Sequence, residues 1–272
     1  MSDLHLEFEY GADPDDAGRP GAMLRPSIET ALAPAAGADL VVLAGDIHGG
    51  LAGIAQADAI SRFTDAPVVY VAGNHEAYGH DLAALLPRMR AAAWATDGRV
   101  LFLECNLARL WLGGLPLAVL GCTLWTDYAI HGDEESAMHF AARDLRDHQL
   151  IGWNGGMFLP ADALALHRKH RAWLEAQMRK LKVETPRPEI LIVTHHAPCP
   201  VAVGHRARVL APAYASDMLT EIADWAPVTW IHGHAHHRHL TRIGAATIAS
   251  APRGYPGEPA TSTPYVCGIL TL

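Results

Sequence analysis

Four short apolar runs constrain this chain more than any other feature: residues 40–44, 67–72, 190–194 and 228–231. Within them almost no position is polar. Runs of this length read as strands buried on both faces, which a sheet permits only when other layers cover it on each side. Soon after each run comes a cluster of polar residues: Gly45-Asp46-Ile47-His48, Gly73-Asn74-His75-Glu76, His195-His196 and Gly233-His234-Ala235-His236. Polar groups at the carboxyl ends of strands are where open α/β sheets carry their sites.

Helical patterns over residues 26–34, 52–63 and 81–95 separate the first strands, with Pro87 expected to break or kink the last of these helices. The chain then changes character. Runs at 100–103, 108–112 and 117–123 read as an antiparallel meander. A polar helical stretch follows over 134–148. A long helix over 161–182 repeats Leu166, Leu174, Met178 and Leu181 on one side, and its basic cluster at 167–171 reads as a solvated face. A helix over 216–224 with Ser216 as its cap, and strands at 239–243, 245–249 and 265–272, complete the pattern. No repeat, low-complexity segment or linker interrupts it, so one domain over residues 1–272 is expected.

Half of the residues are apolar and 18% are charged, ample for a core, and the net charge of −8 argues against a surface that grips nucleic acid. That charge does not argue against one small phosphate, because bound metal ions reverse the local field. Cys105, Cys122, Cys199 and Cys267 are scattered without a CxxC pair, which suits free thiols in a reducing compartment. No apolar run is long enough to cross a bilayer and no signal peptide is evident, so a cytoplasmic protein is expected.

The chain has 17 histidines, so position has to decide which of them matter. His234 and His236 follow a strand and are two apart, which puts both rings on one face, and Gly233 allows a tight turn before them. Taken alone, this segment could equally be a His-rich surface loop. Taken together with Asp3, His5, Asp46, Asn74, His75 and His195, it forms a set of carboxylate and imidazole donors suited to Zn, Mn or Fe. A carboxylate can bridge two ions where a neutral imidazole cannot, and Asp46 is the natural candidate.

Asp3-x-His5, Gly45-Asp46, Gly73-Asn74-His75-Glu76, Thr194-His195 and Gly233-His234-x-His236 resemble, in order, the five sequence blocks of the calcineurin-like metallophosphoesterase superfamily. The resemblance implies an α/β fold: two mixed β-sheets packed face to face and flanked by helices, a four-layer sandwich. It also implies two divalent or trivalent metal ions (Mn, Fe or Zn). Asp3, His5 and His236 would hold one, Asn74, His195 and His234 the other, and Asp46 would touch both. The implied enzyme is a hydrolase of a small soluble phosphomonoester or phosphodiester. A hydroxide between the metals attacks phosphorus, and His75, the catalytic residue, serves the leaving oxygen. No nucleic-acid or membrane partner is expected. A nuclease, a protein phosphatase (Gly45-Asp46-x-His48-Gly49 resembles that branch) and a non-catalytic scaffold are the alternatives.

Two features depart from the family pattern. Only Met1 and Ser2 precede Asp3, so the first strand is shortened or missing. Either the start lies upstream or a frayed terminus holds Asp3 and His5, and the ion using them is expected to bind more weakly. In the fourth block, spacing from the strand favours His195 over His196. Elsewhere Glu76 reads as a residue that caps or orients a helix start. Trp125 reads as core, with Asp127 and Tyr128 beside a possible pocket. Arg253-Gly254-Tyr255 reads as either a phosphate grip or a turn. His48 reads equally as a group near the substrate or behind a ligand and as a loop histidine; His80, His232, His237 and His239 read as structural or exposed, and the cysteines as buried or incidental.

Overall fold

The computed structural model describes residues 1–10, 23–204, 209–258 and 265–272. Among the described residues the first helices are α1 (Glu7–Tyr10) and α2 (Pro26–Leu32). Strands β1 (Val41–Ala44), β2 (Val68–Val71) and β3 (Val100–Phe102) then form a three-stranded sheet in that order, every pair parallel. Helices α3 (Ala52–Thr64) and α4 (Leu82–Trp94) make the crossovers.

The chain continues through β4 (Asn106–Leu112), β5 (Leu115–Cys122), α5 (Glu134–Asp144), α6 (Asp147–Leu150), a ribbon of β6 (Gly152–Trp153) and β7 (Gly156–Met157), and α7 (Pro160–Leu181). It ends with β8 (Glu189–Thr194), α8 (Leu219–Trp225), β9 (Thr229–His232), β10 (His239–Ile243) and β11 (Ala246–Ser250). The larger sheet has the order β10-β11-β9-β8-β5-β4. It is parallel in its centre and antiparallel at both edges.

Alternation along the strands explains the layering. Val42, Ala44, Val69 and Val71 of the small sheet meet Leu117, Val119, Leu191 and Val193 of the large sheet in one buried cluster. The alternate residues Val41, Leu43, Val68 and Tyr70 face a core covered by α2, α3 and α4. Ala118, Leu120, Ile190 and Ile192 face another covered by α7 and α8. Helices, sheet, sheet, helices is the four-layer order, with the smaller sheet parallel rather than mixed among the described strands.

Several local expectations need correction. Pro87 does not break α4; it sits on the exposed side, where water can reach the carbonyl that loses its partner. The stretch 134–148 divides at the extended Leu145 into α5 and α6. Ser216 caps nothing: its hydroxyl is buried and accepts the Asp127 N–H at 3.2 Å, and α8 starts at Leu219. Residues 265–272 form no strand; the Cys267 N–H bonds the Ala31 carbonyl of α2 instead. The 167–171 cluster is not wholly solvated, since His167 and His170 share the stripe of Leu174 and Met178 and are buried with them. Cys122, Cys199 and Cys267 are buried, Cys105 is half-buried, and all are free thiols. Among the described residues no helix is long and apolar enough to cross a membrane.

The terminus before Asp3 amounts to one isolated bridge, Ser2 to Pro252, rather than a strand. It is nevertheless tied down. The Ala44 N–H bonds the Met1 carbonyl at 2.9 Å, and the N–H groups of Asp3, His5 and Leu6 bond the carbonyls of Gly45, Asp46 and Ile47 at 2.9 to 3.0 Å. Leu4 and Leu6 are fully buried.

Candidate metal centre

The polar blocks converge at the carboxyl ends of β1, β2, β8 and β9, and the backbone there is tightly constrained. Asp3, His5, Asp46, His234 and His236 all have positive φ, between 47° and 65°. Non-glycine residues in that region cost about 1–3 kcal/mol each and persist only where surrounding contacts enforce them. The glycines ahead of the blocks are a matter of space. A Cβ on Gly45 would stand 2.3 Å from His195 Nδ1, and one on Gly73 would stand 2.1 Å from Asp46 Oδ1. The blocks also hold one another: Asp3 Oδ1 accepts the His234 N–H at 2.8 Å, and Asp46 Oδ1 accepts the His75 N–H at 2.9 Å.

Glu76 does not cap a helix. Its buried carboxylate accepts the N–H groups of Asp46 (3.0 Å), Ile47 (2.7 Å) and Gly73 (2.7 Å) and the Tyr70 hydroxyl (2.6 Å). It therefore shapes the turn that presents Asp46. Burial, and then the charge of Asp46, push its carboxyl up to about 7.

Three groups of metal-type donors result among the described residues: Asp3, His5 and His236 form the first, Asp46, His195 and His234 the second, and His5, Glu7 and His75 a third that shares His5 with the first, with the ligand-type atoms of each group within 4.8 Å of one another. Across the first, His5 Nε2 and His236 Nε2 are 3.1 Å apart; across the second, His195 Nε2 and His234 Nδ1 are 3.2 Å apart. Asn74 Oδ1 joins the second group, 3.0 Å from His195 Nε2. Asp46 Oδ2 lies 3.9 Å from His5 Nε2 and 3.4 Å from His195 Nε2, between the two groups.

The proton positions suit cation binding. Glu7 Oε1 faces His5 Nδ1 at 3.1 Å, Glu258 Oε2 faces His236 Nδ1 at 2.8 Å, and the Ala44 carbonyl faces His195 Nδ1 at 2.9 Å. These partners only accept, so each Nδ1 donates to its partner and each Nε2 is the nitrogen turned inward, the one a cation would take on losing its proton, as in metal-bound histidine. Asp3 Oδ2 is buried and has no hydrogen-bond partner among the described residues. The donor set therefore fits a pair of cations.

With only protein charges present, burial opposes the ionised form of each group, and the neighbouring opposite charges overcome it. Asp3 is held at about 2 by His236, and Asp46 falls well below the carboxylate range beside His195. His195 rises to about 10 under the Asp46 charge, and His236 to about 9 beside Asp3 and Glu258. A cation in the same place reverses that field.

The sequence profile of the calcineurin-like phosphoesterases matches residues 1–238. The chain belongs to this family. It is thus a hydrolase acting on phosphoester bonds, in a family that typically carries a binuclear metal centre. Among solved structures, it resembles the phosphopantetheinyl hydrolase (PptH) from Mycobacterium tuberculosis, with 17% identity, a TM-score of 0.69, and cover of 97% of this chain and 92% of that one. It also resembles TT1561 of Thermus thermophilus, with 15% identity, a TM-score of 0.52, and cover of 93% and 87%. Both likenesses are of fold. No curated protein matches the sequence.

Within this phosphoesterase, His75 belongs to the third group and stands beside the other two without joining the Asp46 set. Its Nδ1 is 3.0 Å from Glu7 Oε1 and its Nε2 is 2.8 Å from the Tyr255 hydroxyl. Burial lowers the imidazole, but the charges of Asp46 and Glu7 outweigh it and the net shift is upward. Tyr255 also stacks on His5, with ring centroids 4.3 Å apart. Arg253 is not a phosphate grip: it bonds the Leu4 carbonyl at 3.0 Å and pairs with Glu9.

The fourth block brings His195 to the donors, whereas the buried His196 ring lies against His234, centroids 4.0 Å apart. His239 packs against both His232 and His237, and His80 is exposed. His48 is buried. Trp125 and Tyr128 are core residues. The sequence reading missed Glu7, Glu258 and Asp147. For Glu7 a signal existed, because it continues the every-second-residue pattern of Asp3 and His5.

Proposed function

We propose that the chain hydrolyses a small soluble phosphate ester at a centre of two divalent or trivalent cations. Asp3, His5 and His236 hold one ion, Asn74, His195 and His234 the other, and Asp46 serves both. The observation that carries this reading is Asp46 Oδ2, within 4 Å of imidazole nitrogens from both groups, at 3.9 Å and 3.4 Å. When bound, the ions supply Lewis acidity and an activated water for in-line displacement at phosphorus. His75 brings the proton for the leaving oxygen at Nε2, with Glu7 holding the opposite nitrogen so that the ring faces the ester. Tyr78, Tyr214 and Tyr255, packed on His75, His234 and His5, keep water away from these rings.

A diester is the favoured substrate. Glu7 and Glu258 stand against the donor histidines, and Arg253 is committed to Leu4 and Glu9. A monoester brings one more negative charge, which those carboxylates repel. The structural likeness to a phosphopantetheinyl hydrolase makes a phosphopantetheinyl ester a substrate to include. The shared inter-sheet cluster supports one domain over residues 1–272, and the free thiols support a reducing, cytoplasmic setting.

The test is hydrolysis of bis-p-nitrophenyl phosphate beside p-nitrophenyl phosphate after loading with manganese, with Asn74→Ala and His75→Ala as controls. Faster turnover of the diester, lost in Asn74→Ala, is expected; His75→Ala should keep most of it, because p-nitrophenolate departs without a proton, but should lose turnover of an alkyl diester. A chain that takes up no pair of ions and turns over neither ester refutes the reading.

A further inference from the structure

The amide of Asn74 has two unlike ends, and only its oxygen can face a cation. What fixes its orientation comes from the polar helical stretch over 134–148, outside the five sequence blocks. Asp147, the first residue of α6, is buried, and its Oδ1 lies 2.8 Å from Asn74 Nδ2. The same oxygen accepts the Tyr78 hydroxyl at 2.7 Å, and the Tyr78 oxygen lies 3.0 Å from Asn74 Nδ2. Both amide hydrogens are thus taken, one by the carboxylate and one by the phenol. A carboxylate only accepts, so the amide end turned toward it has to be the NH₂. The carbonyl end is thereby directed to the donor group of His195.

The segment carrying Asp147 is clamped to the segment carrying Asn74. The Gly79 N–H bonds the Leu150 carbonyl at 2.9 Å, the Gly152 N–H bonds the His80 carbonyl at 2.8 Å, and Asp81 bridges Gly152. The spacing between carboxylate and amide is therefore set by backbone pairing rather than by a free loop.

We propose that Asp147 is a positioning residue whose carboxylate selects which end of the Asn74 amide faces the metal centre. The proposal rests on the reading of Asn74 as a ligand. Asp147→Asn replaces an obligate acceptor by a group that can also donate, so the Asn74 amide loses its reason to keep one orientation. The exchange variant Asn74→Asp/Asp147→Asn restores the match: a carboxylate at position 74 presents oxygen whichever way it turns, and the amide at 147 donates to it.

The experiment is calorimetric titration of the metal-free full chain with Mn²⁺, with circular dichroism to establish that each variant is folded. In Asp147→Asn, one of the two ions is expected to bind about 10–100-fold more weakly, the usual effect of losing a group that orients a ligand. The other ion should bind as in the parent chain, and the exchange variant should recover most of the loss. If Asn74→Ala weakens one ion while Asp147→Asn leaves both unchanged, the positioning role is wrong. An exchange variant no better than Asp147→Asn overturns it as well. If Asn74→Ala changes neither affinity, the proposed ligand set fails and this inference fails with it.

Discussion

Truncation of Leu4 tests how the amino-terminal donors are held. Asp3 and His5 flank it, and the segment lies against the Gly45 to Ile47 turn through three backbone hydrogen bonds. Three such bonds contribute about 1.5–4.5 kcal/mol together. Leu4 is fully buried in the core under α2 to α4, and removing a buried leucine side chain costs about 2–5 kcal/mol. One leucine is therefore worth as much to the segment as all three bonds. Leu32 is equally buried in the same core but sits in α2, which carries no donor block, and this makes it the matched control.

Both Leu4→Ala and Leu32→Ala should lower the unfolding free energy by about 2–5 kcal/mol in urea titrations of metal-free protein. Only Leu4→Ala should also weaken a Mn²⁺ ion, on the side of Asp3 and His5. Each 1.4 kcal/mol of lost local hold corresponds to about tenfold in affinity, so a fall of roughly 30-fold or more is expected. In the unmutated chain the two affinities should lie close together, against the expectation of a frayed terminus, because Asp3 and His5 are fully buried. If Leu4→Ala loses the stability but binds both ions as before, the leucine does not hold the donors and the reasoning is refuted.

Other outcomes follow from the same geometry. Gly73→Ala should weaken Mn²⁺ binding and cost about 1–3 kcal/mol, since its Cβ collides with Asp46 Oδ1 at 2.1 Å; titration and thermal melting check both. Glu7→Gln should slow an alkyl ester about 10²-fold while sparing a p-nitrophenyl ester, whose leaving group departs without a proton; equal losses on both would remove Glu7 from proton delivery. Pro87→Ala should raise stability by up to about 3 kcal/mol, because the proline removes one α4 hydrogen bond on the exposed side of a helix that runs on through it; an unchanged melting temperature would contradict this. Chelation should lower the melting temperature by several degrees, reflecting about 2.7 kcal/mol per site when free Mn²⁺ had stood about 100-fold above Kd.

What was legible in the sequence divides along a physical line. The strands carrying Asp46, Asn74, His195 and His234 could be read because burial on both faces leaves continuous apolar runs. Their glycines could be read because Gly45 and Gly73 stand where no Cβ fits, so the chemistry of each block is written into consecutive residues. Strand ends not defined by burial were read less well. Residues 265–272 are apolar enough to suggest a strand but find a helix carbonyl rather than a sheet edge. His167 and His170 were assigned to solvent by residue type, although their spacing places them on the buried stripe of α7.

The groups that orient the donors were hidden for a different reason. Asp147 reaches Asn74 across 73 positions, and Glu7 reaches His75 across 68. No helical or strand period connects such pairs, and a carboxylate that orients a ligand looks in sequence like any surface acid. Burial is what sets it apart: Asp147 is 5% exposed, and a buried carboxylate persists only where donors meet it. The donors meeting it are the Asn74 amide and the Tyr78 phenol. The ligand blocks can therefore be read from local sequence, while the control of their orientation requires the fold, and the region between β5 and α7 supplies part of that control through one short helix.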